Sequence, residues 1–309
     1  MIKLSLKNVR LPTILIQFQG PILIPGAQDI FLYLRPETNG LLVESMLFRV
    51  LKLYSAKCQV VYLANVPGDF IVKNKIIEQH YAVKINFAKR GKKAFTPAMR
   101  QEFEKYFGIS FKSAKIIGAF KALEILSLSE EELFRLWVPP ENYTQIHGQS
   151  IKQNGDYFIV NYDIPAILHK NSRKMDIAVM IFRSFLGIKE FHHMVKDMRK
   201  KLIDEKVITP DRPLARTFHY SHGPFEQILD GIGYLYTENG KHLPLESISF
   251  FAFLIKNNCT NQEVLKAVKN PLMKFKINSR KIIEENIFSY TTDDTYADAL
   301  EKFKQRIVE

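Results

Sequence analysis

The cationic stretch from Lys84 to Lys93 carries the clearest chemical signal in the sequence. Five Lys or Arg residues fall within ten positions (KINFAKRGKK), and no acid interrupts them. Charge at this density is costly in a folded protein unless water or a polyanion balances it. Lys89, Arg90, Lys92 and Lys93 are therefore candidate phosphate ligands. The stretch predicts a partner that is either a phosphate-bearing small molecule or a nucleic acid.

His169 is the candidate for covalent chemistry. The pattern predicts a strand over residues 157–168 and a helix over residues 173–186, with His169 at the strand end between them. Backbone N–H groups and the dipole at a helix N-terminus stabilise a phosphate, and an imidazole nitrogen accepts a phosphoryl group. This placement fits phosphoryl transfer through His169, although a structural histidine fits the same pattern.

Aromatic residues flank the cationic stretch, at Tyr81, Phe87, Phe95 and Phe111. Cations that hold phosphates beside rings that stack on bases are the usual composition of a nucleic-acid surface. Phe87 and Phe95 would serve equally well as core residues at the ends of elements. Tyr81 is the candidate for stacking on a nucleotide base.

Other chemical signatures are incomplete. His219, His222 and Glu226 have a spacing that could share a metal ion, but HxxH followed by a lone acid is far less specific than HExxH. Cys58 and Cys259 lack CxxC spacing, which argues against a disulfide framework and a zinc knuckle. The sequence contains neither a P-loop nor a nucleophile elbow. It therefore predicts no metal ligands in the protein.

The segments that must position these residues alternate between strand and helix patterns. The first half predicts strands at residues 30–34, 58–63 and 83–87, and helices that begin at Gly40 and cover residues 70–80 and 97–107. The cationic stretch is predicted to be a loop before Thr96, which is a suitable N-cap ahead of Pro97. Residues 115–123 fit a strand and a helix almost equally well.

This order of elements is typical of a ferredoxin-like αβ sandwich with an antiparallel sheet, within the α+β class. We predict that architecture for about residues 26–187. A mostly helical region follows, beginning with a helix at residues 189–206. The predicted domains are residues 1–187, which include an N-terminal hairpin, and residues 188–309. Two predicted helices in the second domain, before and after residues 257–260, have the spacing of a helix-turn-helix.

Composition favours a globular protein with anionic partners. The formal net charge is +12 and 46% of the residues are hydrophobic. The longest apolar run, at residues 248–255, is far shorter than the about 20 residues that a membrane span needs. The amino end has no apolar signal core, so we predict a cytoplasmic protein without a membrane partner.

Several segments resemble the nucleoside diphosphate kinase family. DIFLYLRPETNGLLVESMLFRVLKL is similar to that family's first strand and helix, and IIEQHYAVK resembles the segment with its nucleotide-site tyrosine, here Tyr81. AILHKNSRKMDIAVMIF resembles the family's histidine segment. This sequence departs from the family at Arg35, where the family has lysine, at Ala166, where it has asparagine, and at Lys170, where it has glycine. His147-Gly148 offers a second match to the histidine motif.

The resemblance implies a ferredoxin-like sheet and a nucleotide whose phosphates are bound by cations and whose magnesium is carried by the nucleotide itself. It places His169 at the phosphorylated histidine and gives the site these residues: Arg35, Tyr81, Lys89, Arg90, Lys92 and Lys93.

Three hypotheses follow from the sequence. The first is a nucleotide-binding protein that transfers phosphoryl groups through His169, with the cationic stretch at the mouth of the pocket. The second is a non-catalytic RNA- or DNA-binding protein that uses the same stretch and the C-terminal helix pair. The third is a catalytically inactive relative of the kinases that keeps the fold.

Overall fold

The computed structural model describes residues 9–307, in which eleven strands and fourteen α-helices alternate. The strands are β1 (Thr13–Ile16), β2 (Gln28–Leu34), β3 (Cys58–Val66), β4 (Lys115–Gly118), β5 (Tyr143–Ile146), β6 (Gln149–Asn154), β7 (Tyr157–Val160), β8 (Ile177–Ser184), β9 (Phe218–Tyr220), β10 (Leu272–Asn278) and β11 (Lys281–Asn286). The helices are α1 (Leu41–Leu51), α2 (Gly68–Lys73), α3 (Ile76–His80), α4 (Ala82–Arg90), α5 (Pro97–Phe107), α6 (Ala119–Leu126), α7 (Glu130–Arg135), α8 (Ile164–Lys170), α9 (Ile188–Asp204), α10 (Pro224–Tyr234), α11 (Ser249–Lys256), α12 (Asn261–Lys269), α13 (Ile287–Tyr290) and α14 (Tyr296–Lys304). The chain is an α+β protein.

The described residues divide into two compact units, each assembled from three segments. The first unit contains residues 9–76, Ser172–Val264 and Thr291–Glu301, and the second contains Ile77–Asn171, Leu265–Tyr290 and residues 302–307. Both units therefore take segments from either side of residue 187, where the sequence predicts a domain boundary. The described part of the second unit holds 22 Lys and Arg against 12 Asp and Glu, whereas the first holds 20 against 19.

The first unit is built on a five-stranded antiparallel sheet with the order β1-β3-β8-β2-β9. Along the chain, β2, α1 and β3 come first, and β8, α9 and β9 follow after the long segment that contributes most of the second unit. One core unites Leu32 of β2 with Met46 of α1 and Met194 and Met198 of α9. Both helices thus pack on the same face of the sheet.

The second unit contains a mixed four-stranded sheet with the order β4-β7-β6-β5, in which only the β4–β7 pair is parallel. Phe103 of α5 and Phe158 of β7 lie in its main core, with ring centroids 4.9 Å apart. The antiparallel pair β10–β11 forms a separate hairpin of the same unit.

Several predicted elements are confirmed. β2, α1, β3, α5 and α9 lie within one to three residues of their predicted bounds. Thr96 is the N-cap of α5, since its side chain accepts a hydrogen bond from the N–H of Met99. The predicted helix at residues 70–80 is instead two short helices, α2 and α3. Residues 115–123 are a strand at first and a helix afterwards, so each alternative holds for part of the segment.

The strand predicted at residues 83–87 is wrong, because this segment is the helix α4. Val83, Ile85 and Phe87 alternate as in a strand, but Val83 and Phe87 also lie on one helical face at a spacing of four. Ala, Lys and Arg around them favour a helix. The cationic stretch is consequently no loop: it covers most of α4 and continues into a 3-10 turn at Gly91–Ala94.

Around His169, the strand predicted at residues 157–168 is confirmed only over its first four residues, and the helix predicted at residues 173–186 is wrong. β7 ends at Val160, and Pro165 lies in the first turn of α8, where a missing N–H has no cost. Residues 177–184 are the strand β8 instead of a helix, with all eight residues buried. His169 therefore lies at the end of a helix and precedes a strand.

No helix among the residues described by the structure is both long and apolar enough to cross a membrane. The prediction that the amino end lacks a signal core concerns a segment of which residues 1–8 lie outside the described part of the chain.

Candidate functional site

The first cationic run covers residues 79–101, where six Lys and Arg residues occur without an acid. It begins at the end of α3, continues through α4 and the 3-10 turn and ends in α5. Gly91 makes the turn possible: its φ is +50°, and a Cβ there would lie 2.5 Å from the backbone nitrogen of Gly118. Since Gly91 has no side chain, the end of α4 can lie directly against β4. The chain turns tightly there, and Lys93 follows Arg90 after a single turn.

Three cations of the first run are free to bind a ligand. Lys89, Arg90 and Lys93 are exposed, and none of them makes an ion pair with an acid among residues 9–307. Their charge is therefore balanced by solvent alone in the isolated protein. These side chains are the ones that a phosphate can reach.

Lys92 has a structural role instead. Its Nζ donates to the carbonyl oxygens of Lys112 at 2.8 Å and Ala114 at 2.9 Å, and it lies 5.3 Å from the centre of the Phe111 ring. Arg100 lies beside the same ring and donates to the carbonyl oxygen of Phe95. A phosphate would have to displace these contacts to engage Lys92.

The aromatic residues of this region form core. Phe87, Phe95 and Phe111 are 2%, 3% and 8% exposed, so the interpretation of Phe87 and Phe95 as core residues is confirmed and extends to Phe111. Tyr81 is half-buried at the start of α4 and packs against a cluster that includes Ile164 of α8. Of these four aromatic residues, only Tyr81 is partly exposed.

A second cationic run, residues 265–283, was not predicted from the sequence. It holds six exposed cations and no acid, and its members are Lys266, Lys269, Lys274, Lys276, Arg280 and Lys281. The run begins in α12 and covers β10 and the start of β11. Its sequence signal is the same as that of the first run, a long interval between consecutive acids, but the cations are spaced more widely.

Thr96 and Glu284 bring the two runs together within the second unit. The Thr96 hydroxyl, in the first run, donates to Oε1 of Glu284, which directly follows the second run. Lys274 of β10 pairs across the hairpin with Glu284, so both side chains are on one face of the ribbon. Two stretches that are about 180 residues apart in the chain therefore meet beside the N-terminus of α5.

His147 lies beneath this junction. Its buried ring has Nε2 at 3.2 Å from Oε1 of Glu102 on α5 and Nδ1 at 3.5 Å from Oε1 of Glu284 on β11. His147 and Gly148 both have positive φ, +45° and +76°, and form the two-residue turn between β5 and β6. The buried position prevents this histidine from acting as a phosphoryl acceptor.

The remaining predicted site residues lie apart from the cationic runs or in the other unit. The side chain of His169 is 68% exposed, and its Nδ1 is 3.7 Å from Oε1 of Glu130. Arg35 belongs to the first unit, where its Nε donates to the carbonyl oxygen of Ala215 and its guanidinium lies 5.4 Å from the Tyr33 ring centre. Tyr81 and Lys89 are at opposite ends of α4, about 12 Å apart along its axis.

The histidine pattern in the first unit forms a local polar network. Nε2 of His219 lies 3.3 Å from Oδ2 of the fully buried Asp230, which also accepts from the Ser221 hydroxyl at 2.6 Å. Glu226 accepts from the backbone N–H of His222. Residues 9–307 contain no group of three or more His, Cys, Asp or Glu side chains arranged to hold a metal ion.

Comparison with protein-family models, with curated proteins and with solved structures finds no match to this chain.

Proposed function

We propose that this protein binds nucleic acid through the phosphate backbone, using the two cationic runs of its second unit. The observation that carries the proposal is the junction at Thr96 and Glu284, where two acid-free basic segments meet in the fold. Lysines that only interact with water would not need to be brought together from distant segments of the chain. The second unit also carries the larger excess of positive charge, which points to the same two runs.

The mode of binding follows from the side chains that are free. Lys89, Arg90 and Lys93 are exposed and make no described ion pair, as do Lys276, Arg280 and Lys281 of the second run. Each cation that meets a phosphate releases a counterion, so affinity falls steeply with salt. Because Phe87 and Phe95 are buried and Tyr81 lies about 12 Å along α4 from Lys89, binding at the exposed cations depends on phosphates and carries no base sequence information.

A ferredoxin-like assignment of the first unit is part of the proposal. Its support is the chain order β2-α1-β3-β8-α9-β9 together with the sheet order β3-β8-β2-β9, in which all neighbours are antiparallel. In this assignment β1 is an added edge strand, and most of the second unit is an insertion between the second and third core strands. The predicted residue range 26–187 then covers only part of the sheet.

Phosphoryl transfer from a magnesium-bound nucleotide through His169 stays a prediction with less support. His169 is on an exposed helix end beside Glu130, and Tyr81 is about 12 Å along α4 from Lys89. A direct test is incubation with γ-labelled ATP and magnesium. Label that is retained by wild type and lost in His169→Ala would support transfer, and absence of label would exclude it.

The test of nucleic-acid binding is the salt dependence of affinity for a 20-base-pair DNA, measured by fluorescence anisotropy. The variant K89Q/R90Q/K93Q removes three cations from the first run, while K189Q/K196Q/K256Q removes three exposed lysines from the first unit. Glutamine is chosen because it keeps helix propensity. We expect the slope of log affinity against log salt to become shallower by about 2 to 3 in the first variant.

The control variant should keep the wild-type slope. Equal slopes in the two variants would contradict the proposal, as would binding by wild type to anionic lipid vesicles but not to DNA or RNA.

A further inference from the structure

The far end of the β10–β11 hairpin is a two-stranded ribbon, and no strand among residues 9–307 is added to either edge there. Up to Lys276, β10 also pairs with the C-terminal segment, because the N–H of Lys276 donates to the carbonyl oxygen of Gln305 and Phe275 bridges to Arg306. Beyond Lys276, β10 pairs with β11 alone among the described residues. We call residues 276–282 the ribbon tip, and all of them except Ile277 are exposed.

The ribbon tip has a defined turn. Asn278 pairs across the hairpin with Lys281, which leaves Ser279 and Arg280 as the two turn residues. The side-chain Oδ1 of Asn278 accepts from the backbone N–H of Arg280 at 2.9 Å. This is an Asx-type contact that fixes the backbone of the turn. The cationic side chains at the tip therefore extend from an ordered support.

The chemistry of the tip is cationic with one exposed apolar side chain. Lys276, Arg280 and Lys281 are exposed, and the tip contains no acid. Ile282, directly across from Lys276, is 59% exposed. A large apolar side chain among cations is costly in water, and it suits a partner that offers phosphates beside apolar methyl groups.

We infer that the ribbon tip enters the major groove of B-form DNA, an inference that rests on the proposed nucleic-acid binding. From Lys276 to the turn is about three residues, or roughly 10 Å of strand, and the groove is about 8.5 Å deep and about 12 Å wide. A two-stranded ribbon fits such a groove. Arg280 then reaches base edges at the groove floor, Lys276 and Lys281 meet the phosphates of its walls, and Ile282 contacts thymine methyl groups.

The same geometry excludes other duplex grooves. The minor groove of B-form DNA is about 6 Å wide, and the major groove of an A-form RNA duplex is deep and narrow. Neither admits two strands with their side chains, and the minor groove of A-form RNA, although wide, is too shallow to enclose a ribbon about 10 Å long. The ribbon tip therefore distinguishes a DNA duplex from an RNA duplex of equal length and charge, which the cations of the first run do not do.

The experiment compares the affinity of the full chain for a DNA duplex and for an RNA duplex of the same sequence, at one salt concentration. We expect the affinity of wild type to be on the order of tenfold higher for DNA than for RNA. A factor of this size corresponds to one good set of contacts in the groove. The variant K276Q/R280Q/K281Q should lose this preference. The control K189Q/K196Q/K256Q carries the same change in charge and should keep it.

A wild-type protein that binds both duplexes equally would overturn the inference, and so would a DNA preference that persists in the tip variant. In either case steep salt dependence of wild-type binding would leave the proposed function standing. Absence of any salt-dependent binding to DNA or RNA would remove both.

Discussion

Gly91 determines how closely the cations of the first run are spaced. Its φ is +50°, and a Cβ would lie 2.5 Å from the nitrogen of Gly118 and 2.9 Å from the carbonyl carbon of Ile117. Both obstacles are backbone atoms that cannot rotate away. The turn after α4, which carries Lys92 and Lys93, therefore depends on the absence of a side chain at this position.

Gly91→Ala is expected to destabilise the protein more than a positive φ alone explains. Gly108→Ala is the matched control, because Gly108 has a φ of +68° but no atom within 4 Å of an added Cβ. The control should cost about 1 kcal/mol of unfolding free energy, and Gly91→Ala at least about 2 kcal/mol more. Urea unfolding of the two variants measures the difference, and equal costs would show that the turn relaxes around the methyl group.

Lys152 is a buried cation whose charge should appear in the pH dependence of stability. Burial lowers the pKa of the Lys152 ammonium to about 8, although its Nζ donates to the carbonyl oxygen of Leu136 at 2.6 Å and lies 3.6 Å from the Tyr162 ring centre. An unfolded lysine has a pKa near 10.4. Between these values the unfolded chain binds the extra proton, so stability rises with pH there.

The expected result is that wild type gains stability relative to Lys152→Met between about pH 8 and about pH 10.4. Urea unfolding of both proteins across this range gives the difference, in which titrations elsewhere in the chain cancel. Below pH 8 the difference should be flat, because lysine is protonated in both states. A difference that stays constant throughout, or falls, would contradict the lowered pKa.

At the scale of elements, the sequence predicts best where a pattern and a cap agree. α5 was predicted at its observed bounds because Thr96 and Pro97 mark its start in the sequence itself. The bounds of α9 also follow from local periodicity. β8 was missed because it is central in its sheet and buried on both faces, so its residues do not alternate between apolar and polar. The neighbours that make it a strand are distant in sequence.

The candidate site also shows that local sequence patterns do not reveal neighbours that are distant in the chain. The first cationic run was identified from local charge, but its predicted ligands divide once the fold is formed, since Lys92 is held by the carbonyl oxygens of Lys112 and Ala114. The second run belongs to the site because Glu284 meets Thr96 across 188 residues. Local spacing carries no information about such a contact.

The β11 strand carries a half-buried acid, Glu285, whose charge should make the strand respond to pH. Burial raises the pKa of the Glu285 carboxyl, and the nearby carboxylates of Glu102 and Glu284 act in the same direction. The folded protein therefore holds the proton of Glu285 to a higher pH than the unfolded chain does. Ionisation of Glu285 opposes the folded arrangement as the pH rises.

Raising the pH above about 4.3, the pKa of a glutamate in an unfolded chain, should therefore loosen β11. Hydrogen exchange of the amides at residues 281–286, corrected for intrinsic rates, measures this loosening. Glu285→Gln is the comparison, because glutamine has nearly the size of glutamate but does not titrate. We expect protection to fall less with pH in the variant, and an unchanged pH dependence would assign the effect to other groups.

In the molecule as a whole, the five-stranded sheet and the excess of positive charge belong to different units. The first unit carries the five-stranded sheet but has nearly balanced charge, with 20 Lys and Arg against 19 Asp and Glu in its described part. The second has 22 against 12. Long-range attraction of a polyanion scales with this excess, so encounter should be directed to the second unit. The five-stranded sheet, by this argument, is a scaffold for the unit that binds.

The reactivity of lysines along the full chain tests whether DNA binds to the second unit and not to the first. Acylation of exposed lysines with an N-hydroxysuccinimide ester, followed by mass spectrometry, is compared with and without a DNA duplex. Lys89, Lys93, Lys276 and Lys281 should be protected several-fold, since a bound phosphate shields the ammonium group. Lys189 and Lys196 on α9 are equally exposed and should react at an unchanged rate. Protection that is spread evenly over both units would mean that net charge alone, and not the joined cationic runs, retains the DNA.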